Sequence, residues 1–408
     1  MVPNKTRQIT LGTLNINETA KGYIDDILEH NRLSSGHYTK QFESLFASHH
    51  DSAYGIFMNS GTSALQVALA ALREIHRYED GDEVLVPATT FIATSNIVLQ
   101  NNLKPVFVDV NPETFNMNWY EIEKHITPRT RCIIPVHLFG LPANMEMIMG
   151  IARAQGLQVI EDSCETMFAT QGDRRVGGFG DLACFSTYVA HLIVGGVGGV
   201  ITTNDKKLEQ LCRSLMAHGR DSIYTNIDQD DIDDDVLRRQ MIERRYRFER
   251  VGYSYRATEL EAAIALSELE RWKDNILTRQ TNASYLSLLL RDTPLQLPII
   301  PAGMTHSFMM YPMVVPHYMD RDALLMHLER NGVETRYLFP LLSQPVYQKL
   351  FPGLDERYPT AKHLAQQGFF IGMHQNMTLD DMRYISDVIH AYFKTGWSDV
   401  NGTHWIQV

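Results

Sequence analysis

A chain of 408 residues, 44% hydrophobic and 21% charged, has the composition of a folded globular protein and the length for one large domain plus a smaller one. Its formal net charge of -11 argues against a nucleic-acid binder, which would present a basic face. Apolar runs stay short of the ~20 residues a membrane span needs, and the first residues lack the apolar core of a signal peptide. Four scattered cysteines, Cys132, Cys164, Cys184 and Cys212, form no Cys-x-x-Cys pair, which argues against a metal site, an iron–sulfur cluster or a disulfide framework and for a reducing cytoplasm.

Ile24, Ile27 and Leu28 fall at helical spacing within residues 18–33, and a second helix is predicted over about 40–49. Tyr54-Gly-Ile-Phe-Met58 is a short strand running into Asn59-Ser-Gly-Thr-Ser-Ala64, and Leu65, Leu69, Leu72 and Ile75 continue as a helix. A strand, a small polar turn and a helix N-terminus can bind an anion. The same residues also fit a plain N-cap by Ser60 or Thr62.

Further strands are predicted at Glu83–Pro87, Pro105–Val110, Arg131–His137, Leu157–Asp162, Leu182–Phe185 and Val200–Thr203, with helices between several of them. That alternation predicts an α/β domain with a mostly parallel sheet. In such sheets ligands sit beyond the carboxyl ends of strands, where Asn59, Ser60, Phe91, Asp162 and Ser186 fall.

Between the last two of these strands lies Phe185-Ser-Thr-Tyr-Val-Ala-His191-Leu-Ile-Val-Gly-Gly-Val-Gly-Gly199. It reads as a strand end, a polar turn and a glycine-rich return. Gly195, Gly196, Gly198 and Gly199 permit positive φ and close backbone approach.

The acid run Asp228–Asp235 is expected to be a solvated loop. The basic run Arg244–Arg250 fits either a solvated helix face or a pyrophosphate contact. A helix is expected to reach about Lys273, followed by a long one over 274–292. Short strands at 308–315 and 334–336 and helices at 320–331 and near 379–394 predict a smaller α+β domain, with an irregular tail after Gly396. The expected division is 1–255, 256–395 and 396–408.

Over roughly residues 30–395 the chain resembles the DegT/DnrJ/EryC1/StrS family of nucleotide-sugar aminotransferases. The matching segments include Asn59–Ala64, Pro87–Phe91, Pro105–Val110, Val136–Gly140, Glu161–Glu165, Gly177–Asp181, the central stretch and Gly252–Glu259. The resemblance implies the fold-type I aminotransferase architecture, a large mostly parallel mixed-sheet domain with a smaller C-terminal α+β domain. It also implies a homodimer with active sites at the subunit boundary and pyridoxal 5'-phosphate (PLP) or pyridoxamine 5'-phosphate (PMP) as cofactor.

Residue by residue, it places Gly61, Thr62 and Ser186 at the cofactor phosphate, Phe91 against its ring and Asp162 at its pyridine nitrogen. A carboxylate there keeps that nitrogen protonated, so the ring can act as an electron sink. Ser254 stands where the family often has an asparagine that reaches the partner subunit's phosphate, and serine shortens that reach. Glu165 and Arg336, with Tyr337 beside it, match segments near the substrate.

His191 stands where most members carry the lysine that binds PLP covalently. An imidazole cannot replace that amine, but it can move protons near neutral pH. One branch of the family, the sugar 3-dehydratases, has histidine here. Phe370-Ile-Gly-Met-His-Gln375 also departs from the apolar-proline pattern of the aminotransferases toward that branch.

The implied reaction starts with an amino donor, glutamate, converting PLP to PMP. PMP condenses with the C4 ketone of a nucleotide-linked 4-keto-6-deoxy sugar, and His191 moves a proton from the cofactor while the C3 hydroxyl leaves as water. The product is a 3,6-dideoxy-4-keto sugar, with ammonia released. The alternatives are an aminotransferase that tolerates histidine and a non-catalytic regulatory protein on the same fold. Lys206 and Lys207 read as a solvated turn rather than a displaced cofactor lysine.

Overall fold

The computed structural model describes residues 7–34, 36–221, 235–394, 397–398 and 404–405. Nine strands precede residue 204: β1 Tyr54–Met58, β2 Glu83–Pro87, β3 Lys104–Val108, β4 Thr130–Ile133, β5 Gln158–Asp162, β6 Thr170–Gln171, β7 Arg174–Arg175, β8 Leu182–Ser186 and β9 Gly199–Thr203. Seven of them form one sheet in the order β1-β9-β8-β5-β4-β2-β3, and β6 pairs with β7 in a separate hairpin. In the large sheet β9 runs antiparallel to β1 and β8, and the other pairings are parallel. The carboxyl ends of β1, β8, β5, β4, β2 and β3 therefore share one edge.

Alternating side chains bury both faces of this sheet. Val84 and Val86 enter one core with Leu65, Leu69 and Leu72 of the helix Gly61–His76, while Leu85 enters another with Ile133, Val159 and Ile148. Strands covered on both faces read as short apolar runs, which is why β1, β2 and β5 are visible in the sequence.

A second sheet has the order β10-β12-β11, with β10 Met310–Val314, β11 Thr335–Tyr337 and β12 Gly368–Gly372, all antiparallel. Tyr311, Met313, Phe369 and Ile371 pack on the helices Trp272–Leu290, Arg321–Arg330 and Leu379–Lys394. Phe370, on the opposite side of β12, packs into the large core. Ile9 joins the smaller core, and its segment bridges to Val333.

Several elements differ from expectation. The strand expected over 131–137 ends at Ile133, because Pro135 cannot donate to the ladder. The helix expected after Gly252 starts only at Glu259, where Thr258 and Glu261 form a capping box, and it ends at Leu269 before the next helix opens at Trp272. The tail is not wholly irregular, since Trp397–Ser398 pairs with His404–Trp405. Residues 228–234 of the acid run lie outside the described residues, and Asp235 opens the helix Asp235–Arg244. Three arginines of the basic run have carboxylate partners within the chain: Arg244 and Arg247 pair with buried Asp221, and Arg250 with Glu74. Among the described residues no helix is long and apolar enough to cross a membrane.

Candidate active site

The shared strand edge gathers most of the residues singled out in the sequence. At the end of β1, the Ser60 hydroxyl caps the helix Gly61–His76 by accepting from the Ser63 amide at 3.1 Å. The Ser60 cap does not use up an anion site here, because the first-turn amides of Gly61 and Thr62 have no intrahelical acceptor. Gly61 is packed against the β8 and β5 ends. A Cβ placed on it would lie 2.8 Å from the Ser186 Cβ and 2.9 Å from the Cys164 Sγ. Thr62 is exposed and Ser186 buried.

Of the four glycines in the return, Gly196 and Gly198 take positive φ, 92° and 137°. Gly199 is needed for a different reason: a Cβ there would fall 2.3 Å from the Ser60 carbonyl oxygen. The glycines thus bring the Ser186–Gly199 loop onto the turn that precedes Gly61.

Asp162 ends β5, 3% exposed. One oxygen accepts from the Thr94 hydroxyl at 2.8 Å and the other from the Cys164 amide at 3.2 Å. Burial pushes its carboxyl up, and these two donors pull it back down. Thr94 sits in the first turn of the helix Ala93–Gln100, just beyond Phe91. The Phe91 ring is 56% exposed and meets Phe339 edge-on at 6.1 Å.

His191 lies in the loop after β8, its amide donating to the Tyr188 carbonyl at 2.9 Å. Its Nδ1 is buried with no hydrogen-bond partner among the described residues. Burial pulls the imidazole down to about 4, with the Cys164 backbone opposing and the Arg279 guanidinium assisting, so it is neutral at pH 7.

The remaining candidates are placed differently. Glu165 is buried and accepts from the Phe139 amide at 3.0 Å, and burial pushes it up to about 8 despite that bond. Arg336 lies on β11, where it donates to Glu334 and to the Thr335 carbonyl. Ser254 is exposed, beside Arg256, whose guanidinium donates to it at 3.2 Å. Lys206 lies at the opposite edge of the sheet: β9 ends at Thr203, which pairs with Tyr54 at the start of β1. It pairs there with Glu209.

Sequence reasoning missed Thr94, Cys164, Phe339 and Arg279. A threonine four residues past Thr90 and a buried cysteine carry no signal of their own, although Phe339 lies two residues past Tyr337, already noted beside Arg336.

The edge fits a phosphate-bearing aromatic cofactor. Four buried polar atoms beyond strand ends have no hydrogen-bond partner among the described residues: Asn59 Oδ1 after β1, Thr89 Oγ1 after β2, Ser163 Oγ after β5 and His191 Nδ1 after β8. Buried polar atoms are rarely left so, and four along one sheet edge point to a ligand with several polar groups. Backbone amides and the Ser186 hydroxyl as donors, the exposed Phe91 ring as a stacking face and the buried Asp162 carboxyl as an acceptor are the groups that a phosphate, a ring and a protonated pyridine nitrogen require.

The model of the DegT/DnrJ/EryC1/StrS aminotransferase family matches residues 14–390. The chain is 33% identical over 381 residues to a GDP-perosamine synthase of Caulobacter vibrioides, covering 92% of this chain and 95% of that protein. It is 27% identical over 379 residues to a GDP-4-keto-6-deoxy-D-mannose 3-dehydratase of Escherichia coli O55:H7, covering 90% and 95%. Among solved structures, an E. coli GDP-4-keto-6-deoxy-D-mannose-3-dehydratase with bound hydrated PLP superposes with a TM-score of 0.84 at 26% identity, over 93% of this chain and 99% of that one.

Proposed function

The chain belongs to the DegT/DnrJ/EryC1/StrS aminotransferase family, and within it we propose a 3-dehydratase of a nucleotide-linked 4-keto-6-deoxy sugar that uses PLP and PMP. The observation that carries this reading is His191, with an unpartnered Nδ1 in the loop where a covalent cofactor lysine would stand. When bound, the cofactor supplies an amine carrier and an electron sink.

The protein's part follows from its own groups. The amides of Gly61 and Thr62 and the Ser186 hydroxyl would hold the phosphate, Phe91 would lie against the ring and Asp162 would bind the pyridine nitrogen. His191 would take up at Nδ1 the proton released from carbon and would return it to the C3 hydroxyl, which leaves as water. An imidazole neutral at pH 7 is suited to the first of these tasks, and the imidazolium it becomes is suited to the second.

With glutamate as donor the balance closes: a 4-keto-6-deoxy sugar and glutamate give a 3,6-dideoxy-4-keto sugar, 2-oxoglutarate and ammonia. A homodimer completes the site in this reading, with Ser254 facing the partner's phosphate. Phe248 and Val251, exposed at 49% and 97% close to Ser254, support such a contact.

The similarity to GDP-perosamine synthase favours the second reading, an aminotransferase. The test is incubation with PLP, glutamate and candidate sugar nucleotides. Deoxy sugar with equimolar ammonia supports dehydration, whereas amino sugar without ammonia overturns it in favour of transamination. An unchanged cofactor spectrum overturns both.

A further inference from the structure

Arg279, in the middle of the helix Trp272–Leu290, is 2% exposed and forms no direct ion pair among the described residues. Its guanidinium instead collects carbonyls. One terminal nitrogen donates to Phe308 O at 3.2 Å, Met309 O at 3.1 Å and Met373 O at 2.8 Å. The other donates to Gln375 Oε1 at 2.7 Å and to His191 O at 3.3 Å. Gln375 in turn donates to Glu268, a carboxylate that Asn275 also contacts. Burying a guanidinium this way is costly and works against its charge. A neutral residue could have filled the space, so the bonds themselves need an explanation.

One of those bonds ends on the backbone of the residue whose side chain is proposed to move protons. The loop's own backbone bonds, among them His191 N to Tyr188 O, Gly195 N to Thr187 O and Thr187 N to Gly198 O, close within the loop, and the buried Leu192 and Ile193 that follow tie it to the core. On its other side Gly12 is pressed against it, since a Cβ there would lie 2.5 Å from Val189 O. The Met373–Gln375 segment, the unusual end of Phe370–Gln375, supplies two of the five Arg279 acceptors.

We infer that Arg279, anchored by Met373 and Gln375, is a positioning residue that fixes the His191 loop for proton transfer. The inference rests on His191 being the proton-moving group, but not on whether the product is a deoxy sugar or an amino sugar. Proton transfer is sensitive to small displacements, and a planar fork bound at several points restricts the loop more than a flexible ammonium would.

The test uses the full-length, PLP-loaded chain with Arg279→Lys and, in case that variant misfolds, Gln375→Leu. Amide hydrogen exchange across residues 187–196 is expected to speed roughly tenfold, with exchange in β2, β4 and β5 unchanged. The glutamate-driven conversion of PLP is expected to slow about tenfold, with a larger isotope effect for Cα-deuterated glutamate and little change in the KM for glutamate. Loop exchange and conversion rate both within twofold of the parent would overturn the inference. So would faster exchange throughout the sheet with a conversion rate per bound PLP that is unchanged, which would make Arg279 a general stabiliser. Altered loop exchange and conversion in an enzyme that yields amino sugar would refute the dehydratase reading and leave this inference standing.

Discussion

Glu161 and Asp162 are neighbours at the end of one strand, both buried, and their surroundings could hardly differ more. Glu161 accepts from the amides of Gly177, Phe179 and Gly180 and pairs with His137 Nε2 at 3.0 Å. His137 Nδ1 accepts from the Ala143 amide, which places the ring proton on Nε2, pointing at Glu161. That carboxylate is fully satisfied from within the chain and pins the Gly177–Asp181 turn to the sheet. Asp162 has two donors and lies along an edge where other buried polar atoms have none. A strand sends successive side chains to opposite faces, so one acid is saturated by the chain and its neighbour keeps capacity for the ligand proposed above. Saturation, more than burial, separates the scaffold from the site.

Substitutions should separate the two roles, and the largest effects fall on turnover. His191→Asn should lower the steady-state rate by about a hundredfold or more while PLP affinity changes little, as read by kinetics alongside cofactor titration. Asp162→Asn should lower both turnover and PLP affinity with only a small change in unfolding free energy. Glu161→Gln should do the reverse, costing about 3–5 kcal/mol of stability in chemical denaturation, because an amide nitrogen would face backbone donors that now have a carboxylate. If Asp162→Asn proved as destabilising as Glu161→Gln, the distinction between the neighbours would fail.

Smaller effects come from pH. Burial holds His50 and His306 at about 3 and His374 and His191 at about 4. The unfolded chain therefore binds more protons than the folded one between about pH 6.5 and 4. The stability these neutral histidines contribute is complete above that window and is lost as pH falls through it, which urea melts across pH 4–7 would register. Glu165 acts in the opposite sense. Its folded carboxyl, held up to about 8, keeps its proton while the unfolded one loses it near 4.5, so stability falls as pH rises from 4.5 to 8. Glu165→Gln, which can still accept from Phe139, should flatten that part of the profile. The smallest change is expected from Thr94→Val: about 1–2 kcal/mol, from removing the hydroxyl's hydrogen bonds with Asp162 and Thr90.

Much of this was legible in the sequence, because the doubly covered strands are short apolar runs and the ligand edge follows from their direction. Asp162, Ser186 and His191 could be placed at that edge from motif order alone. The saturation of Glu161 was not legible, since its donors come from His137 and from residues 177–180, and no local pattern pairs them. Arg279 was hidden for a similar reason: its acceptors are carbonyls, which every residue carries. Thr94 lay in a helix start whose polar residues look like ordinary first-turn residues.

The most direct test of the account is the mass of the PLP-loaded enzyme after borohydride reduction and denaturation. With His191 in place of the lysine, the chain should keep its unmodified mass and lose all cofactor to the solution. A chain heavier by one reduced coenzyme, with the adduct mapped to any lysine, would contradict it.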